Sequence, residues 1–189
     1  IKPHIGIITN IGEAHIENFK NIKGIAEAKA EIIESIKENG TLLINRDDKF
    51  YDYLNKKAKL KKLKVVSFGK SRKSDIFPLK IVKGKSFTKL FLQVINEKIY
   101  LEIKNINIHN VLASLAVIKT LNLKLKKIKN VFKNLEASEG RGKIHIISRY
   151  NKRFKLIDES YNANPLSVKN AIKNFNAIKK EKFKKYLIL

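Results

Sequence analysis

Residues 41–68 read TLLINRDDKFYDYLNKKAKLKKLKVVSF, and the reading of this stretch decides the fold. Thr41–Asn45 is a short run rich in Leu and Ile that reads as a strand. Residues 47–62 turn helical, with an Asp at the start, where a carboxylate complements the N-terminal end of a helix dipole. Lys64–Phe68, with its adjacent valines, reads as a second strand. Strand, helix and strand in that order predict a parallel α/β layer.

Working outward, residues 4–9 form another apolar run closed by Asn10 and Gly12, which predicts a buried strand feeding a loop. Residues 24–38 are helical, with Asn39-Gly40 as a stop signal. Residues 75–104 differ. There Ile81-Val82, residues 87–95 and residues 99–103 alternate or run apolar around a turn at Asn96-Glu97-Lys98, which predicts a small antiparallel patch of three strands. Helices are expected at about 109–121 and 125–135. Gly140 and Gly142 break the pattern, and residues 143–148 and 154–157 then read as a hairpin. From Pro165 the pattern is helical to about Lys180, followed by a strand at 183–189. A domain boundary is expected near 158–164, with residues 159–189 opening a further α/β domain.

The length of 189 residues suffices for one domain or one and a fraction. The chain has no Met, opens on Ile1-Lys2-Pro3-His4-Ile5 and closes on the apolar Tyr186-Leu-Ile-Leu189. Strand backbone left unpaired at such a place is costly, so both ends are expected to be truncations. Cysteine is absent, which excludes disulfides and thiolate metal sites and agrees with a cytoplasmic setting. No apolar run approaches the roughly 18 residues of a membrane helix, and no signal sequence is visible. Lys and Arg number 41 against 17 Asp and Glu, a formal charge of +24. Only five of the bases are Arg (46, 72, 141, 149 and 153), whereas nucleic-acid surfaces favour the bidentate fork of Arg. The lysines are spread along every segment without aromatic interleaving, so the charge reads as solvated surface rather than a nucleic-acid patch.

Several residues stand out chemically. On the helix from Gly24, Lys29 falls in line with Ile25, Ile32 and Ile36, so an amine is expected on the inward stripe, where it must snorkel, pair or change its chemistry. His15 follows the first strand among Asn10, Gly12, Glu13 and Glu17, at the carboxyl end where α/β sheets place ligands. His109-Asn110 opens a helix with Val111, Leu112, Leu115, Ala116 and Ile118 on its apolar face; the Asn amide complements an adenine edge, or else simply caps the helix. Gly140-Arg141 suits close approach to a phosphate. Asp158-Glu-Ser-Tyr-Asn-Ala-Asn-Pro165 begins as an apolar strand ends, and Pro165 starts a helix at a favoured position.

Taken in order, Asn10-Ile-Gly-Glu-Ala-His15-Ile-Glu17, Ala26-Glu-Ala-Lys29-Ala-Glu-Ile32, Ile108-His109-Asn110, Gly140-Arg141 and the 158–165 string resemble the motifs of the Mur ligases. These are ATP-dependent enzymes that add amino acids to the peptidoglycan precursor. The resemblance is strongest to the branch that joins D-alanyl-D-alanine to UDP-N-acetylmuramoyl-tripeptide. It implies an α/β fold: part of a P-loop-type parallel-sheet central domain with a small antiparallel patch, residues 1–158. The start of a Rossmann-like C-terminal domain, residues 159–189, would follow. It implies that Lys29 takes up carbon dioxide as a carbamate, an oxygen ligand for magnesium, and that His15 binds a metal ion. Lys29, His15 and Arg141 would be the catalytic set, with Arg141 on the γ-phosphate of ATP. Asn10, His109, Asn110, Arg141, Asp158, Glu159, Tyr161 and Asn162 would surround the nucleotide, with Asn164 and Ser167 fixing a hinge. Two positions depart from the family pattern: Ala113 stands where a second Asn is usual, and Glu159 where Asp is usual.

The implied parent is a cytoplasmic, monomeric enzyme without nucleic-acid or membrane partners. No Gly-x-x-x-x-Gly-Lys-Ser/Thr loop occurs in the sequence, so these residues alone are expected to be inactive. Three other readings remain: a sister Mur or folylpolyglutamate-type ligase, a basic nucleic-acid-binding module, and a non-catalytic remnant.

Overall fold

A computed structural model describes residues 2–12, 19, 21–84, 87–104, 106–161, 163–178 and 184–188. The chain forms two compact units that divide between residues 137 and 138. The first is built on a six-stranded sheet whose spatial order follows the sequence: β1 (Ile5–Ile8), β2 (Thr41–Asn45), β3 (Lys64–Phe68), β4 (Ile76–Lys83), β5 (Thr88–Val94) and β6 (Glu97–Ile103). Strands β1 to β4 run parallel and β4 to β6 antiparallel. The helices are α1 (Ile22–Ser35), α2 (Tyr51–Leu60), α3 (Ile108–Thr120) and, after a 3-10 turn at Leu125–Ile128, α4 (Lys129–Asn134).

The expected antiparallel patch is therefore a continuation of the parallel sheet. The two parts meet at a single paired position, Phe68 with Ile76. Side-chain bonds reinforce the join: Asp75 Oδ2 accepts from Ser67 N at 2.7 Å and Ser67 Oγ at 2.6 Å, and Asp75 N donates back to Ser67 Oγ at 3.0 Å. Ser67 is buried, so each of its polar atoms needs such a partner.

Strand β2 is buried at every position because both faces of the sheet are covered. Leu42 and Ile44 pack with Ile8, Ile25, Ile33 and Leu54 of the α1 and α2 layer. Leu43 faces the other way, into a core with Phe68, Leu90, Leu112 and Leu115 that α3 closes. Alternation along one strand thus feeds two cores.

Three sequence expectations change. The buried stripe of α1 is Ile25, Ala26, Ala30 and Ile33, and Lys29 is exposed. The small alanines, which carry little hydrophobic signal, make up half of that buried stripe. Helix α2 starts at Tyr51 rather than 47, because Asp47 and Asp48 bond to loops. Residues 184–188 form no strand; a strand needs a neighbour to pair with, and Lys185 instead donates to the carbonyls of Phe175 and Asn176 at the end of a helix.

In the second unit, β7 (Lys143–Arg149) and β8 (Lys152–Asp158) form a hairpin, followed by α5 (Pro165–Ala177). The hairpin closes through Tyr150 and Asn151, both in the left-handed region at φ 51° and 55°, as a two-residue hairpin turn requires. It groups with α5 rather than with the six-stranded sheet.

Candidate functional site

Three loops meet at the carboxyl ends of β1, β2 and β3, and the segment after β2 ties them together. Asn45 Nδ2 donates to the Thr9 carbonyl at 3.1 Å. Asp48 Oδ2 accepts from Ile11 N at 2.6 Å, and its Oδ1 accepts from Phe50 N at 2.9 Å. Asp47 reaches the other way: Oδ2 accepts from Lys70 N at 2.6 Å and Oδ1 from Ser71 N at 3.0 Å. A Cβ on Gly69 would stand 2.9 Å from the Asp47 carboxylate, so only glycine lets the loop come this close.

Asp47 also meets His109 of α3, with Oδ2 3.0 Å from Nε2. Burial pushes the Asp47 carboxyl up, but the Lys70 N–H, the His109 ring and the Ser71 N–H together outweigh it and hold the carboxyl below its ordinary value. Sequence reading took this Asp for a helix-start acid. The available signal was Asn45-Arg-Asp-Asp48, three acceptor side chains at and just beyond the end of a strand.

His109 and Asn110 lie in the first turn of α3, but the cap is Asn107, whose side chain accepts from His109 N at 2.9 Å. Asn110 is exposed. Ala113, at the position of the missing second Asn, is buried in the core, so no amide could reach a ligand from there without opening α3 packing.

Asn10 and Lys29 are brought together: Lys29 Nζ donates to the Asn10 carbonyl at 2.9 Å. They line a cleft of about 350 Å³ with Thr9, Ala28 and Ile32. Lys29 as an amine is a donor and not a metal ligand; only as a carbamate would it offer oxygens. The remaining expected ligand, His15, lies outside the described residues with Glu13 and Glu17. Among the described residues no cluster of three or more His, Asp or Glu side chains could hold a metal ion.

The second unit joins two of the sequence motifs. Asp158 Oδ2 accepts from Gly140 N and Oδ1 from Ser160 N, each at 3.0 Å, while Gly142 N donates to the Asp158 carbonyl at 2.7 Å. Tyr161 N donates to the Gly140 carbonyl at 3.1 Å. Gly140 has φ 69°, and a Cβ there would strike Tyr161 at 2.6 Å. The Arg141 guanidinium lies 4.4 Å from the centre of the Tyr161 ring, a cation–π contact. The Ser160 O–H and N–H and the Gly140 N–H hold the Asp158 carboxyl below its ordinary range. Burial, then the Asp158 charge, push Glu159 up. Asn164 and Ser167 form a reciprocal capping box on α5 with Pro165 in the first turn. Asn162 lies outside the described residues.

A family model described as the Mur ligase middle domain matches residues 1–121. The chain is 31% identical over 175 residues to the UDP-N-acetylmuramoyl-tripeptide--D-alanyl-D-alanine ligase of Buchnera aphidicola subsp. Baizongia pistaciae, covering 91% of this chain and 37% of that protein. It is 30% identical over 188 residues to the UDP-N-acetylmuramate--L-alanine ligase of Borreliella burgdorferi, covering 92% of this chain and 38% of that protein. A crystal structure of MurF from Acinetobacter baumannii superposes with a TM-score of 0.80 at 26% identity, over 94% of this chain and 38% of that one. The chain thus spans under two-fifths of the length of these relatives. On the sheet, its strand-end loops and the match over residues 1–121, the chain belongs to the Mur ligase middle-domain family.

Proposed function

We propose that this chain is the nucleotide-handling part of a cytoplasmic, monomeric ligase that joins D-alanyl-D-alanine to UDP-N-acetylmuramoyl-tripeptide with ATP. The observation that carries the reading is the joining of Gly140-Arg141 to the Asp158–Tyr161 turn, the string that marks the D-alanyl-D-alanine branch by resemblance. A relative bearing that activity in its name aligns over 91% of the chain.

In this reading the γ-phosphate of ATP passes to the tripeptide carboxylate, giving ADP and an acyl phosphate. The amine of D-alanyl-D-alanine then attacks the acyl carbon, an amide bond forms and inorganic phosphate leaves. Arg141, held over Tyr161, would offset charge on the transferring phosphoryl oxygens. Asn10, His109, Asn110, Asp158, Glu159, Tyr161 and Asn162 would surround the nucleotide. Asp158 gives both carboxylate oxygens to backbone N–H groups, so its part would be to hold the Arg141 loop. His15 and the carbamate of Lys29 would hold magnesium, which supplies positive charge to the phosphate oxygens. Residues 159–189 would begin the domain that closes over the amine substrate, with the capped start of α5 as a firm end to the hinge.

The sister-ligase reading keeps one observation of its own, the 30% identity to an L-alanine-adding relative. Phosphate release by the full-length enzyme carrying this chain separates the two. With ATP, magnesium and UDP-N-acetylmuramoyl-tripeptide, release is expected only on adding D-alanyl-D-alanine, and residues 1–189 alone should release none. Release with UDP-N-acetylmuramate and L-alanine instead would move the chain to the sister branch.

A further inference from the structure

We propose that Asp47 is a positioning residue that fixes the tautomer of His109 and thereby makes the enzyme prefer adenine over guanine nucleotides. The inference rests on the reading above that His109 lies at the nucleotide base. A carboxylate has no proton to give, so the ring nitrogen facing it must carry one. Asp47 Oδ2 faces Nε2 of His109 at 3.0 Å. The proton is therefore placed on Nε2, and in the neutral ring the other nitrogen, Nδ1, is left as an acceptor. An acceptor complements the exocyclic amine of adenine and opposes the carbonyl oxygen that guanine carries at the same place.

The geometry around Asp47 is built to hold this orientation. Its two oxygens also take the backbone N–H groups of Lys70 and Ser71, donors that cannot rotate away. Its backbone N–H is held by Asn45 Oδ1 at 3.0 Å. Gly69 supplies the close approach. On the other side, Asn107 caps the backbone of His109 itself. A carboxylate held by two backbone donors can set a neighbouring ring, whereas a freely rotating surface acid could not. The role is invisible in sequence, because Asp47 and His109 are 62 residues apart.

The test is ADP against GDP affinity, measured by calorimetry on the full-length enzyme carrying this chain, in mildly alkaline buffer. Asp47→Asn keeps the shape, but its single amide oxygen can serve only one of the two backbone donors, and the amide can either donate or accept a hydrogen bond toward the ring, so the tautomer is no longer dictated. The expected result is a fall of about tenfold in the ADP-to-GDP preference, with a modest fall in melting temperature from the one backbone donor left without its acceptor. In a His109→Ala background the same change should alter the preference less than about twofold. If Asp47→Asn weakens both nucleotides by one common factor, or acts equally in both backgrounds, the positioning role is overturned while the nucleotide reading of His109 stands. If His109→Ala itself leaves ADP affinity and preference unchanged, the nucleotide reading of that residue fails and takes the inference with it.

Discussion

Asp158 and Glu159 are adjacent acids displaced in opposite directions. Donors from Ser160 and Gly140 hold Asp158 below its ordinary 3.8, whereas burial and the Asp158 charge hold Glu159 above its ordinary 4.5. An acid whose pKa falls on folding stabilises the fold above its unfolded value, and that stability is lost as pH falls through the lowered folded value. An acid whose pKa rises does the reverse: its stability is complete below 4.5 and is lost as pH rises through the raised value. At neutral pH, then, Asp158 supports its turn and Glu159 opposes it. Glu159→Gln should give a small rise in melting temperature at neutral pH and none in acid below 4.5, and Asp158→Asn should lower it at neutral pH. Melting curves across pH check both signs, and a Glu159→Gln protein that melts lower at neutral pH would show that its charge is stabilising. The sequence displayed both acids but not their partners, because a backbone donor 18 residues away leaves no trace in composition. The inward placement of Lys29 was misread for another reason. Its apolar neighbours at helical spacing were Ile25, Ile32 and Ile36, while the buried stripe is Ile25, Ala26, Ala30 and Ile33.

Among the elements, β2 and β3 begin and end where residues 41–68 placed them. The Leu42–Ile44 run of β2 is uninterrupted because both sheet faces are covered there, and Lys64 N bonds to the Gly40 carbonyl to fix where β3 starts against β2. The continuity from β3 into β4 was not legible, since it depends on one paired position and the Ser67–Asp75 bonds. Leu43 is the side chain of β2 that serves the core shared with α3, and it is 0% exposed. Leu43→Ala removes buried methyl groups and leaves a cavity, at about 2–5 kcal/mol. Leu60, at the end of α2, is 76% exposed, so Leu60→Ala should stay within about 0.5 kcal/mol. Urea unfolding followed by circular dichroism compares the two. Equal midpoints would mean that the α3 core does not carry the stability of the sheet.

For the whole molecule, the described residues group into two compact units. Among the described residues the hairpin β7–β8 pairs only with itself, and its carboxyl end is fastened to Gly140 through Asp158. Contacts of this kind, rather than the composition of a linker, determine which residues group together. Charge acts at the same scale. Described ion pairs such as Lys104–Glu136, Lys133–Glu102 and Lys143–Glu139 are part-exposed, and such pairs contribute about 0–1 kcal/mol each. With 41 bases against 17 acids, most lysines have no acid to meet, and the net charge of +24 repels itself across the surface. Two effects of salt therefore compete: screening weakens the few pairs and relieves the repulsion. The excess of bases decides for the second. Raising sodium chloride to about 0.5 M, where the Debye length is roughly 4 Å, should raise the melting temperature by about 2–5 °C. A falling midpoint would mean that the pairs outweigh the repulsion. Random-sequence duplex DNA separates surface charge from a recognition site in the same experiment. At physiological salt it should leave the midpoint unmoved, because dispersed lysines neutralise phosphates without fixing the duplex. A stabilised complex that persists at that salt and dissolves only with a steep salt slope would instead establish a nucleic-acid surface.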